Sequence, residues 1–300
     1  MSELRLFTLD GSKAEECHPK AFKLEREVQS LFEANLDALL GVRMVASEFS
    51  TGQGGRIDTL GIDENGFPVV IEYKLDKNRT VINQGMSYMA WLRSHKAEFW
   101  KVVFERLGKE AADSIDHSSI RLICIATDFT RDDMGAYELM PSNIDLVRYR
   151  RFGDSHLLLE RVQSEVAALG PPATGPTVTR VGTDKPFAQV LEDASPATRE
   201  LYESLRQALL ELGEDVTEKM TKLYVAYKRT KNFATVTANS KGVWLYLHLD
   251  PSGLESLADN MRDMRGKGHW GTGDLEALIT KPDDIADARP LIQKAYEGQV

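Results

Sequence analysis

Only two of the 300 residues are cysteine, Cys17 and Cys124, so a disulfide framework is not expected and a zinc site would lack most of its thiolates. Cys124, inside RLICIAT, reads as a small core residue. Six histidines are present, His18, His95, His117, His156, His248 and His269, but they form no H-x-x-x-H or similar ligand pair. No G-x-x-x-x-G-K-[ST] run occurs, and the glycine cluster TGQGG at 51–55 precedes strand-like residues rather than a helix. Nucleotide hydrolysis on a phosphate loop is therefore poorly supported. Nothing approaches the run of about 18 apolar residues that a bilayer crossing requires. The opening MSELRLFTLDGSKAEE lacks the basic start and apolar run of a secretory leader, so the expectation is a cytoplasmic protein with no membrane partner.

Excess positive charge is missing too, since the formal net charge is −9. A protein that grips nucleic acid without sequence preference is usually basic. Metal cations relax that rule by neutralising both site carboxylates and an approaching phosphate, so local basic clusters matter more than the sum. With 42% hydrophobic and 28% charged residues the composition is that of an ordinary globular chain, long enough for two domains. Residues 163–186, QSEVAALGPPATGPTVTRVGTDKP, hold four prolines and three glycines with little periodicity. They read as a linker between domains at 1–162 and 187–300, although TVTRV could add a short edge strand.

The most informative stretch is GGRIDTLGIDENGFPVVIEYK at 54–74. Arg56, Asp58 and Leu60 alternate with Ile57, Thr59 and Gly61, and Val69, Val70, Ile71 and Tyr73 are apolar enough for a buried strand. Between them Asp63-Glu64-Asn65-Gly66 is a hairpin signal, because Asn-Gly tolerates positive φ. Strand side chains alternate faces, so Glu72 and Lys74 project together, and Asp58 lies near them if the strands pair in register. Two carboxylates in one cleft with room for waters suit Mg²⁺ or Mn²⁺, and a neighbouring ammonium can orient a water and steady a phosphodiester transition state. The plain alternative is a solvent-facing hairpin whose charges keep one face wet. Against it, Glu72 and Lys74 end an apolar strand that should be central, where unpaired charges are costly.

With this spacing, Asp58 followed by Glu72-x-Lys74, the segment resembles the PD-(D/E)xK nuclease superfamily, in a branch related to the NucS-type endonucleases. The phrases GGRIDTLGID, VIEYK and NQG carry the likeness over about residues 20–162. No proline precedes Asp58, as in many members. The resemblance implies an α/β fold with a restriction-endonuclease-like core, a mixed central sheet flanked by helices in the order helix, three strands, helix, strand. The sequence offers a helix with Leu24, Val28, Leu31, Phe32 and Leu36 on one stripe, and strands near 42–49, 55–63 and 68–74. A long helical region follows over 81–107, then strands at 122–126, 144–149 and 156–162. It also implies a catalytic set of Asp58, Glu72 and Lys74, with Asp58 and Glu72 on the metal, and a first-helix glutamate. Glu25 fits that role, being spaced i,i+3 and i,i+7 from Val28 and Phe32; Glu27 is the rival. In NQGMSYMAWL, Gln84 and Tyr88 resemble the Q-x-x-x-Y element of the RecB-like branch, which places Gln84 at the metal site and Tyr88, with Arg56, on nucleic acid. The alternative is an ordinary amphipathic helix with Tyr88, Trp91 and Leu92 in the core.

The second domain opens with SPATRELYESLRQALLELG, where Ser195 can cap, Pro196 fits the first helical position and Gly213 ends the helix. Strand-like runs at 223–227, 233–238 and 243–249 and helices near 252–258 and 284–296 predict a smaller α+β domain with an antiparallel sheet. YVAYKRTKNF, GHWGTGDLEALI and LIQKAYE resemble an uncharacterised family sometimes labelled a predicted transport protein, which brings no chemistry of its own. Basic clusters at Arg148, Arg150 and Arg151, at Lys228, Arg229 and Lys231, and at Arg262, Arg265 and Lys267 are candidate nucleic-acid contacts. Tyr227, Phe233 and Trp270 lie near the last two and could stack on bases, although short charge runs are usually solvated turns.

The leading expectation is a Mg²⁺- or Mn²⁺-dependent phosphodiesterase acting on DNA. A catalytically inactive nucleic-acid or partner-binding module on the same fold is the alternative, and a transport accessory the third. DNA against RNA, endo against exo cleavage, and pairing of two chains into a homodimer are left open.

Overall fold

The computed structural model describes residues 4–52, 54–75, 81–137, 139–140, 143–162, 185–254, 256–267 and 271–298. They fall into two compact units divided between Pro171 and Pro172. The proline-rich segment 163–184, with TVTRV inside it, lies outside the described residues.

The first unit begins with a two-stranded hairpin, β1 (Leu6–Asp10) and β2 (Lys13–Cys17), turning at Gly11. Then come α1 (Glu25–Glu33), α2 (Leu36–Leu40), β3 (Val42–Ser50), β4 (Arg56–Asp63) and β5 (Pro68–Lys74). Helices α3 (Val81–Ser94), α4 (Lys96–Leu107) and α5 (Lys109–Asp113) lead to β6 (Arg121–Ala126), and α6 (Arg131–Tyr137), β7 (Ile144–Phe152) and β8 (His156–Val162) complete the unit. One sheet runs β3-β4-β5-β6-β7-β8. Its first three strands are antiparallel, β5, β6 and β7 run parallel, and β8 returns antiparallel to β7. This is a mixed sheet, with the order of elements that the sequence resemblance implies.

The two faces of the sheet explain the two apolar patterns of the sequence. Val69, Ile71, Tyr73, Ile123, Ile125 and Val147 pack against Val28 and Phe32 of α1. The alternate residues Leu60, Val70, Leu122, Cys124 and Leu146 pack against Ile82, Met89 and Leu92 of α3 and Phe99 and Val103 of α4. Strands covered on both faces become continuous apolar runs, as RLICIA does. Helix α3 comes especially close to β6, because a Cβ on Gly85 would sit 2.4 Å from Leu122 Cδ1.

The long helical region 81–107 is two helices, broken at His95, which sits at φ −115°, ψ 41° and stacks its ring on Trp91 at 4.3 Å between centroids. The β4–β5 turn forms as its residues dictate. Gly66 adopts φ +81°, and the buried Asp63 carboxylate accepts the N–H groups of Asn65 (2.9 Å) and Phe67 (3.0 Å). On β7, the buried Asp145 accepts Nε of Arg121 on β6 at 2.6 Å and Nε of Arg161 on β8 at 3.0 Å.

The second unit contains α7 (Phe187–Asp193), α8 (Pro196–Leu210), β9 (Thr217–Met220), β10 (Val225–Lys228), β11 (Asn232–Asn239), β12 (Gly242–Leu247), β13 (Met261–Asp263), β14 (Leu275–Ile279) and α9 (Pro282–Glu297). Its sheet, β13-β14-β12-β11-β10-β9, is antiparallel throughout and packs against α8 and α9. Ser195 caps α8 by accepting the Thr198 N–H, as its position predicts. Where a helix is expected over 252–258, the chain makes one 3-10 turn at Pro251–Gly253, capped by Asp250, and Leu254 is already extended. Leu254 packs on the core but Leu257 is exposed, so that segment has no second apolar turn to bury. Among the described residues no helix is long and apolar enough to cross a membrane.

The Gly85 contact yields a stability prediction. Gly85→Ala must displace the fully buried Leu122, at a cost of about 1–3 kcal/mol by overpacking. Urea denaturation reads this directly; an unchanged midpoint would show that α3 does not approach β6 so closely.

Candidate functional site

Pairing between β4 and β5 ends at Thr59↔Ile71, one step short of Asp58 and Glu72. Beyond that pair the side chains take over from the ladder. The Tyr73 N–H donates to Asp58 Oδ2 at 3.1 Å, and the Asp58 N–H donates to Glu72 Oε1 at 3.2 Å. Each carboxylate thus closes a bond that the neighbouring backbone would otherwise supply, and the two are held side by side in the fork between the strands. Glu72 is fully buried, and its second oxygen, Oε2, has no hydrogen-bond partner among the described residues.

Lys74 follows on β5, with its side chain only 13% exposed, and donates to Glu25 Oε1 at 3.2 Å. Glu25 Oε2 also accepts the Leu75 N–H at 3.4 Å. Of the two first-helix glutamates, Glu25 is therefore the one that reaches the lysine. Glu27 turns back over the start of α1, where it accepts the N–H groups of Lys23 (2.8 Å) and Leu24 (3.2 Å). Those donors and the positive end of the helix hold its carboxyl below the usual range.

Burial first, and then the charge of Asp58, push Glu72 up to about 8. Asp58 is raised too, chiefly by burial, with the Tyr73 N–H and Lys74 working against the shift. Two carboxylates so placed lack positive charge. That shortage and the unpartnered Oε2 fit a hard divalent cation, which takes carboxylate oxygens and keeps further positions for water or phosphate. Among the described residues no group of three or more His, Cys, Asp or Glu could hold a metal, and the donors that such an ion would find here are the Asp58–Glu72 pair.

Gln84 and Tyr88 sit one turn apart on α3, and Gln84 Nε2 donates to Tyr88 Oη at 3.2 Å. The same hydroxyl accepts the Arg56 N–H at 3.1 Å, and a Cβ on Gly55 would lie 3.0 Å from the Tyr88 ring. The pair therefore ties α3 to the start of β4, two residues before Asp58. Trp91 and Leu92 are core residues, as the amphipathic alternative expects, while Tyr88 is half-buried. The exposed Arg56 pairs with Glu48 at 2.7 Å.

Sequence reasoning passed over three residues here. Glu48 lies in β3 opposite Asp58, between the pairs Ser47↔Thr59 and Phe49↔Ile57, in a left-handed conformation with φ +53°. Nothing in the sequence signals that bend. Gln29 and Glu33 of α1 also reach β4, and they had a signal, since with Glu25 they recur every four residues.

The expected nucleic-acid contacts are mostly engaged within the protein. Arg148 pairs with Asp128 (3.1 Å) and Glu160 (3.2 Å), and Arg151 with Asp154. Arg229 pairs with Asp215 and lies over the Tyr296 ring, while Lys228 and Lys231 flank it, half-buried. Arg265 pairs with Asp250 (2.7 Å) and Asp263 (2.6 Å), Lys267 donates to the Asp263 carbonyl, and Arg262 approaches Glu276 at 4.0 Å. Base stacking by Tyr227 and Phe233 is overturned. They are 0% and 3% exposed in the core of the second unit, because β10 and β11 turn those positions toward the helices. Trp270 lies outside the described residues.

Comparisons with known proteins come to the following. Residues 187–299 match a family described as a domain of unknown function (DUF5655). An uncharacterized protein of Haemophilus influenzae is 28% identical over 312 residues, which covers 98% of this chain and the whole of that protein. Among solved structures, a repair endonuclease from Pyrococcus abyssi is 20% identical with a TM-score of 0.30, covering 43% of this chain and 48% of the other. A complex described as EndoMS with dsDNA is 20% identical with a TM-score of 0.28, covering 43% and 47%. The chain spans about half the length of these solved structures.

The carboxylate pair gives a pH prediction for the metal-free protein. Glu72 ionises near 4.5 in the unfolded chain and near 8 in the folded one, so between those values the folded state keeps a proton that the unfolded state has released. Its contribution to stability is full below about 4.5 and disappears as pH rises through about 8, and Asp58 adds a change of the same sign. Glu72→Gln should melt higher than wild type at pH 8 in chelator, with a shallower fall across the window. Equal slopes would mean that Glu72 is already ionised.

Proposed function

We propose that this protein is a divalent-metal-dependent nuclease that hydrolyses phosphodiester bonds in DNA. The observation that carries the reading is the crossed pair of Asp58 and Glu72, buried with one carboxylate oxygen unpartnered, beside a lysine steered by Glu25. A fold kept only to bind a partner has no need to crowd these charges at the end of a central strand.

Asp58 and Glu72 would hold the Mg²⁺ or Mn²⁺, which supplies positive charge for phosphate oxygens and acidifies a bound water. Lys74 has three N–H donors, one of them directed at Glu25. The others serve to orient the attacking water and to donate to the phosphate as negative charge grows on it. Glu25 keeps the ammonium aimed. Gln84, through Tyr88, fixes the edge of the site on the α3 side, with the exposed Arg56 beside it at the mouth, paired with Glu48. DNA as the substrate follows from the sequence resemblance carried by GGRIDTLGID, VIEYK and NQG.

The test is cleavage of single-stranded, duplex and branched DNA with Mg²⁺ or Mn²⁺. Glu72→Ala and Lys74→Ala should each lose at least about 100-fold in rate, the scale of removing a group that stabilises charge in a transition state. Full activity in both variants sinks the assignment. DNA binding by wild type without cleavage under any of these conditions favours the inactive binding module.

A further inference from the structure

Helix α1 meets the sheet through more than its apolar stripe. Glu25, Gln29 and Glu33 are four residues apart, hence on one face, and each ends on a residue of β4 or β5. Glu25 takes Lys74 and the Leu75 N–H. Glu33 Oε1 accepts the Thr59 hydroxyl at 2.6 Å, and Thr59 Oγ1 lies 3.3 Å from Tyr73 Oη.

Gln29, in the middle and only 7% exposed, makes the contact nearest the carboxylates. Its Nε2 donates to the Asp58 carbonyl oxygen at 3.0 Å and to Glu33 Oε1 at 3.0 Å, with Ser47 Oγ at 3.3 Å as the longest contact. Asp58 is thereby fixed at three points. Its N–H goes to Glu72, its carboxylate takes the Tyr73 N–H, and its carbonyl takes Gln29. The first two bonds lie inside the β4–β5 pair, at the point where the ladder has stopped; the third comes from outside and holds β4 against the helix. A buried amide that satisfies a strand carbonyl is costly to remove, because the carbonyl is left without its donor.

We propose that Gln29 is a positioning residue for the Asp58–Glu72 pair. It clamps the Asp58 backbone so that both carboxylates keep the separation a divalent ion needs, and it sets α1 so that Glu25 meets Lys74. This proposal rests on the metal-site reading above for its consequence, but not for its geometry.

Two measurements separate the two claims. The first is amide hydrogen exchange in chelator on Gln29→Met, which keeps length and bulk but has no donor. The Tyr73 and Asp58 amides, whose acceptors are the two carboxylates, should exchange about 10-fold faster or more, while Ile123 and Cys124 in β6 keep their protection. Unchanged Tyr73 and Asp58 protection, or a uniform loss across the sheet, overturns the proposal. The second is Mn²⁺ titration followed by electron paramagnetic resonance. Affinity should fall about 10-fold or more in Gln29→Met, the scale seen when a group supporting a metal ligand is removed. Ser47→Ala, which loses only the longest contact, should bind as wild type does. A wild-type protein that takes up no Mn²⁺ overturns the metal reading alone, and the exchange result still decides the role of Gln29. Should Gln29→Met fail to fold, Gln29→Asn, one methylene too short to reach Asp58, stands in for it with the same expected outcomes.

Discussion

The first unit is organised around one place where a sheet ladder stops. Strands β4 and β5 pair from their turn to Thr59↔Ile71, and there the carboxylates of Asp58 and Glu72 replace the next rungs by accepting N–H groups across the gap. Three consequences follow. The strand ends stay together although their backbones part, two carboxyl groups are forced into one partly dry fork, and the residue after Glu72 on the same face, Lys74, is carried to the rim. Each depends on the others, since a continued ladder would leave no fork and a wider gap would not hold the carboxylates.

Holding such a fork requires support from elements distant in sequence. Helix α1 provides it from one face of the sheet through Glu25, Gln29 and Glu33. Helix α3 provides it near the start of β4 through Tyr88, whose hydroxyl joins Gln84 to the Arg56 backbone. Gly85 lets α3 approach β6, and Gly55 leaves room for the Tyr88 ring. Small residues at these two positions thus serve contact distance. Glu48, in a left-handed conformation opposite Asp58, adds local strain at the same spot, and its carboxylate further raises that of Asp58.

What the sequence made legible was what short-range rules govern. Asp63-Glu64-Asn65-Gly66 has to turn, the alternation after it sets the faces, and those two facts suffice to bring Asp58, Glu72 and Lys74 together. The choice between Glu25 and Glu27 leans toward Glu25 by its spacing to Val28 and Phe32, but spacing alone leaves Glu27 a rival because both sit in the first turn of α1. It is settled by which carboxylate the helix's own opening amides capture, and that depends on how the chain enters at Lys23 and Leu24. Gln29 carries no clear signal of its own, because it belongs to a polar stripe beside the apolar stripe of α1, and a polar stripe reads as solvent-facing. The hairpin β1–β2, the short strand β13 and strand β14 are too short or too polar for periodicity to mark. Tyr227 and Phe233 misled for the opposite reason, since they are core residues of β10 and β11 while Arg229 and Lys231 lie in the turn between those strands, so nearness along the chain is not a shared exposed face.

Charge decides where attraction for a phosphodiester could reside. The chain carries −9 overall, and of the arginines in the basic clusters Arg148, Arg151, Arg229 and Arg265 are engaged with carboxylates of their own unit. Breaking such a pair to reach a phosphate exchanges one anion for another and gains little in water. The fork at Asp58 and Glu72 differs, because there the protein has removed carboxylates from water without giving them a full set of partners. A cation bound at that point would relieve an existing electrostatic cost and leave coordination positions facing outward. On the proposed function, attraction for the nucleic-acid backbone is thus concentrated where the bond is to be cut, and an acidic surface elsewhere weakens binding that brings no phosphate to the site.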